Sequence, residues 1–204
     1  MKKMSRRALA TASVALLFTT SPVRAQESVR LRGTIERMDG PAYLVKTRDG
    51  AEVKLALADK PIVVAIAKST VADIKPGTFV GSTAMPRSDG SLAAIEVHIF
   101  PASMRGTGEG HRDWDLKPQS TMTNANVEQT VAGVDGQVLT VKYKGGEKKL
   151  VVTPDTSIVS YVTGDRSELK PGVSIFVSAA EKQPDGTLRT ARVTYGKDGL
   201  TPPM

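Results

Sequence analysis

The sequence predicts an all-β protein of two tandem, small five-stranded barrels joined by an irregular connector. Two observations carry that expectation. The first is an internal repeat. Arg48-Asp49-Gly50-Ala51-Glu52 with Leu55 aligns with Tyr143-Lys144-Gly145-Gly146-Glu147 with Leu150 at an offset of 95 residues. Ile74-Lys75-Pro76-Gly77 aligns with Leu169-Lys170-Pro171-Gly172 at the same offset. Ser88-Asp89-Gly90-Ser91-Leu92 aligns with Pro184-Asp185-Gly186-Thr187-Leu188 at 96, as does Asp39-Gly40 with Asp135-Gly136. The second observation is short alternating runs of apolar and polar residues between Gly, Pro and Asp turn signals, the pattern of half-buried strands.

The elements follow in chain order. Residues 1–25 have a basic start (Lys2, Lys3, Arg6, Arg7), an apolar run from Ala8 to Phe18 and small residues at Val23-Arg24-Ala25. That is a secretory signal with cleavage expected after Ala25. Ser5-Arg6-Arg7 only partly matches a twin-arginine signal, so the general secretory route is expected. The first barrel is placed at 30–100. A hairpin turns at Asp49-Gly50, a strand and a helical turn run to Pro76, and a second hairpin joins 78–85 to 92–100 across Asp89-Gly90. The connector occupies 101–126, the second barrel 127–196 with the same grammar, and a tail 197–204. A five-stranded open sheet would expose its edges and one face, and closure removes most of both. In the last strand of the first copy Ile95, Val97 and Ile99 alternate with Glu96 and His98, and the second copy places Arg192 and Thr194 on the latter side. Because Thr194 stands where His98 does, the repeat requires no imidazole there, and His98 is expected at the surface.

Each copy resembles a bacterial family of exported, OB-like β-barrel domains of unknown function. The likeness rests on Asp39-Gly40, Asp49-Gly50, Ile74-Lys75-Pro76-Gly77 and Asp89-Gly90-Ser91-Leu92 in the first copy. In the second it rests on Asp135-Gly136, Gly145-Gly146, Leu169-Lys170-Pro171-Gly172 and Asp185-Gly186-Thr187-Leu188. The resemblance implies an OB-like barrel for each copy and says little about chemistry.

Composition narrows the function classes. With no cysteine the chain has no disulfides, thiol catalysis or thiolate metal sites. The formal net charge of +7 falls near +2 once the five basic residues of 1–25 are removed. Nucleic acid is therefore not an expected partner, and 4% aromatic residues leave little surface for stacking bases or sugars. After cleavage no segment would anchor the chain in a membrane, and a periplasmic or secreted location is expected.

The connector is the chemically unusual stretch. It holds Gly106, Gly108 and Gly110, then His111, Asp113, Trp114 and Asp115, with Met104 before them and Met122 after. Trp114, the only Trp, is expected to anchor the connector on a barrel or in the cleft between barrels. No serine sits in a nucleophile-elbow pattern and the glycines lack a βαβ setting, so the chain is not expected to be an enzyme. The expected function is a periplasmic binding or interaction module whose ligand or partner contacts are His111, Asp113, Trp114, Asp115 and Met122. Two alternatives stay open. One is a metal carrier in which His111, Met104 and Met122 hold a copper ion, since imidazole and thioether suit the cuprous state. The other is an envelope adaptor that binds a protein or glycan.

Overall fold

The computed structural model describes residues 28–134 and 136–204, so the expected signal segment and Asp135 lie outside the described residues. The chain is all-β. Its strands are β1 (Ser28–Asp39), β2 (Ala42–Thr47), β3 (Glu52–Lys68), β4 (Phe79–Pro86), β5 (Leu92–Ile99) and β6 (Gly110–Asp113). They continue with β7 (Thr121–Gly133), β8 (Gly136–Tyr143), β9 (Gly146–Val152), β10 (Ser157–Thr163), β11 (Ser174–Lys182) and β12 (Leu188–Gly196). Among the described residues no helix is long and apolar enough to cross a membrane. The helical turns expected before each Lys-Pro-Gly are three-residue 3-10 turns, Val71–Asp73 and Arg166–Glu168.

Strands pair in the order β12, β11, β1, β2, β3, and β12 returns to β3 in parallel, which closes a five-stranded barrel. The path continues from β3 through β10, β5, β4, β7, β8 and β9, with β6 paired to β7. Strand β5 also meets β9 through Leu92↔Leu150 and Ala93↔Val151. Leu31, Ile35, Val45, Leu55, Val177 and Val193 fill the closed barrel. Val80, Val97, Val127, Leu139, Val141 and Leu150 form a second core. Each such side chain withdrawn from water stabilises the fold by about 1.5–3 kcal/mol.

The closed barrel differs from the sequence expectation in where its strands originate. It takes β1, β2 and β3 from the first copy but β11 and β12 from the second, while β4 and β5 of the first copy pair with β7, β9 and β10 of the second. The two copies exchange their last two strands. Backbone bonds at the Lys-Pro-Gly turns show the exchange reciprocally. Gly77 N donates to Val127 O (2.7 Å) and Val127 N to Thr78 O (2.8 Å), while Gly172 N donates to Ile35 O (2.8 Å) and Ile35 N to Val173 O (2.9 Å). Gly77 and Gly172 stand at φ 85° and 88°, a left-handed conformation that favours glycine and redirects the chain onto the other copy.

The exchange turns on the antiparallel pair β3–β10. Ile66 pairs with Tyr161, Val64 with Thr163 and Lys68 with Val159. Because the repeat offset is 95, this register relates the copies by an approximate twofold axis through the Ile66–Tyr161 pair. The copies differ in how this strand is divided: β3 runs unbroken through Pro61, whereas the second copy divides into β9 and β10 around Pro154. Pro61 has no N–H to donate, and the ladder from β3 to β12 is interrupted there, between Leu57 and Ile62.

The connector is more ordered than its composition suggests. After a 3-10 turn at Ala102–Met104, β6 lies on β7, and β7 itself starts at Thr121, inside the expected irregular stretch. Thr121, Thr123 and Asn124 are buried polar residues on a strand held between β4 and β6. A pattern reading that equates burial with apolar character passes over such a strand. The tail is also packed: Met204 is 1% exposed and clusters with Ile66, Met122, Val159 and Phe176 at the junction of the copies.

Candidate functional site

Alternation along β6 and β7 decides which connector side chains meet. Directly paired residues share a face and successive residues alternate. Arg112 pairs with Met122, His111 with Thr123 and Gly110 with Asn124. Trp114 continues the ladder by donating its N–H to Ser120 O (2.8 Å). Arg112, Trp114, Met122 and Asn124 therefore face inward together, and His111, Asp113 and Thr123 face the other way.

The inward face lines a cavity of about 190 Å³ beside the approximate twofold axis. His98, Phe100 and Tyr161 form one wall, Phe176 comes from β11, Arg192 and Thr194 come from β12, and Met204 joins the lining. The aromatic rings are in mutual contact, with Phe100 stacked on Tyr161 at 5.1 Å and His98 edge-on to both at 4.9 and 5.4 Å. Trp114 meets Phe176 at 6.4 Å, and the Arg30 guanidinium covers the indole ring from 4.0 Å. That stack satisfies the ring quadrupole but leaves the indole N–H unused.

Two polar atoms of this lining are buried without a hydrogen-bond partner, Trp114 Nε1 and Asn124 Oδ1. Asn124, 5% exposed, donates through Nδ2 to Thr107 O (3.0 Å), and that bond sets which end of the amide is the acceptor. The cavity thus offers one stranded donor and one stranded acceptor, each of which costs about 1–3 kcal/mol when left unpaired.

Behind the wall lies a buried carboxylate. Glu96, 0% exposed, accepts from Thr83 N (2.9 Å), Thr83 Oγ1 (2.9 Å) and His98 Nδ1 (3.0 Å). A carboxylate only accepts, so His98 donates its Nδ1–H to Glu96. Among the described residues Nε2 makes no hydrogen bond. Gly81 makes room for this arrangement, because a Cβ there would overlap His98 Nε2 and Asn124 Oδ1. Burial, joined by the Glu96 charge, pushes the Tyr161 hydroxyl well above the usual phenol range.

Of the residues singled out from sequence, Trp114 and Met122 line the cavity together. His111 does not join them. It bonds Thr123 Oγ1 through Nδ1 (2.8 Å) and stacks on Tyr143 at 6.3 Å, and burial with the Lys148 charge holds its imidazole below the ordinary range. Asp113 is exposed on β6. Asp115 accepts from Arg32 (2.7 Å) and pairs with Arg30 (3.4 Å); burial works to raise its carboxyl, but these two arginines outweigh it and hold it low. Met104 is half-buried in the turn at 102–104. His111 and Met122 thus lie on opposite faces of one strand pair, and among the described residues no three His, Asp or Glu side chains are grouped to hold a metal ion.

Sequence reasoning expects His98 at the surface and does not single out Glu96, Asn124, Tyr161, Arg112 or Arg192. His98 is 3% exposed, not at the surface, because both faces of β5 are covered. The signal lay in the repeat itself. Gly81 pairs with His98 in one copy and Phe176 with Thr194 in the other, so a small and a large residue trade places across the axis. Unlike residues at equivalent positions mark the junction where the copies meet. No family model, curated protein or solved structure matches the chain.

Proposed function

We propose that the protein is an exported, non-catalytic binding protein made of two OB-like barrels that share strands, and that it takes a small ligand in the cavity at their junction. The second barrel of this reading is the ring β5, β4, β7, β8, β9, supported by the short β5–β9 ladder. The observation that carries the binding reading is the pair of buried, unpartnered atoms in one cavity, Trp114 Nε1 and Asn124 Oδ1. A fold that gained nothing from these groups would be more stable with apolar side chains in their place. Export rests on residues 1–25, and the non-catalytic reading rests on the sequence, in which no serine sits in a nucleophile-elbow pattern.

The volume sets the ligand's scale. Drug-sized ligands occupy pockets of about 300–1,000 Å³, whereas an apolar cavity of about 150 Å³ accepts benzene. At about 190 Å³ this cavity suits one ring with small substituents. Trp114, the single Trp, reports the site directly. A fluorescence screen of single-ring fragments should find compounds that shift or quench Trp114 saturably, and a Met122→Phe variant that fills part of the cavity should weaken the response. A screen in which no fragment of any charge perturbs Trp114 would overturn the binding reading.

A further inference from the structure

We infer that the ligand is a small organic anion carrying one ring and one hydrogen-bond donor; this rests on the binding reading above. The charged residues lining the cavity are Arg112 and Arg192, and the lining contains no Asp or Glu. Neither arginine has a carboxylate within ion-pair distance among the described residues. The one nearby acid, Glu96, is fully buried behind His98 and satisfied by Thr83 and the imidazole. Two guanidinium groups without a carboxylate partner, exposed Arg112 and half-buried Arg192, beside a partly open cavity favour a negative guest.

The remaining polar groups fix the rest of the ligand. Trp114 Nε1–H is a further donor for an anionic or carbonyl oxygen, while Asn124 Oδ1, beside Gly81, is an acceptor that asks for an O–H or N–H. That acceptor stands beside the His98 ring, and the Arg112 guanidinium, tied to Gly108 O (2.8 Å), lies on the Nδ2 side of the same amide. The remaining walls include Phe100, Tyr161, Met122 and Phe176, surfaces that bury a flat apolar ring. A hydroxyaryl carboxylate matches every group; a neutral alcohol leaves the arginines unmet, and a cation meets them in repulsion.

Isothermal titration of the protein with a matched series tests the inference: 4-hydroxyphenylacetate, its neutral alcohol analogue 2-(4-hydroxyphenyl)ethanol, its amine analogue 4-hydroxyphenethylamine, and phenylacetate, which lacks the donor. The hydroxy acid should bind at least tenfold tighter than the alcohol, severalfold tighter than phenylacetate, and the amine not measurably. Arg192→Gln and Arg112→Gln, each with an unchanged unfolding midpoint, should erase the preference for acid over alcohol, whereas the exposed Arg87→Gln should keep it. Equal binding of acid, alcohol and amine would overturn the anion assignment and leave the binding site standing. Failure of the whole series, while other fragments perturb Trp114, would likewise overturn the ligand class alone.

Discussion

Ile66 and Tyr161 stand 95 residues apart and face each other across the antiparallel pair β3–β10, at the point where the two copies of the repeat cross. Everything C-terminal to that crossing in either copy is built into the other. This exchange predicts one cooperative unit although the sequence reads as two.

The first prediction concerns this crossing. A protease site placed at Pro118-Gln119, an exposed turn, should give two fragments that elute together at the size of the intact protein and separate only in denaturant. The residues before the cut, produced alone, should show no cooperative unfolding, since β3 then lacks β12 and β1 lacks β11. Two independently folded fragments of similar size would mean that each copy closes on itself.

The second prediction concerns Glu96. Its truncation leaves Thr83 N, Thr83 Oγ1 and the His98 Nδ1–H without their acceptor in a dry interior. Glu96→Ala should cost about 3 kcal/mol or more in urea unfolding. The exposed Glu147→Ala should stay within about 0.5 kcal/mol of the parent.

Much of the fold is legible in the sequence because turn chemistry is local. The Asp-Gly and Lys-Pro-Gly landmarks fix where the chain turns, and the alternating runs fix which residues are buried in β8 and β9. Partner choice is not local. Nothing in Thr78–Met85 or Leu92–Phe100 states whether the hairpin they form packs on its own copy or on the other, because both cores accept the same apolar face. The candidate site was half legible for the same reason. Trp114 stood out by its rarity, whereas Glu96, His98 and Asn124 look like surface residues until the second copy covers them.

Stability should depend on pH in two separate windows. The Tyr161 hydroxyl is raised in the fold, so the unfolded chain loses that proton first. This contribution is complete below about pH 10, the ordinary phenol value, and is lost as pH rises beyond it. His111 is lowered in the fold, so the unfolded chain takes up the proton first, and stability is complete above about pH 6.5 and falls as pH drops below it. Unfolding midpoints measured across pH should show both limbs, with Tyr161→Phe flattening the alkaline one and His111→Gln the acidic one.

A site that strands polar groups for a ligand trades stability for binding. Trp114→Phe removes the unpaired indole N–H while keeping an aromatic ring over Phe176 and under Arg30. Its unfolding midpoint should equal or exceed the parent's, and calorimetric binding of the hydroxy acid should weaken by about tenfold, the loss of one charge-assisted hydrogen bond. A large drop in the midpoint with binding retained would make Trp114 a packing residue alone.

The most direct test of the cavity as a ligand site is the proton–nitrogen NMR spectrum, in which the single Trp gives a single indole resonance from the stranded Nε1–H. Added 4-hydroxyphenylacetate should move that resonance downfield in a saturable way, together with the side-chain amide of Asn124. An indole resonance that stays in place while backbone amides elsewhere respond, or one that no fragment of any charge moves, would contradict the account.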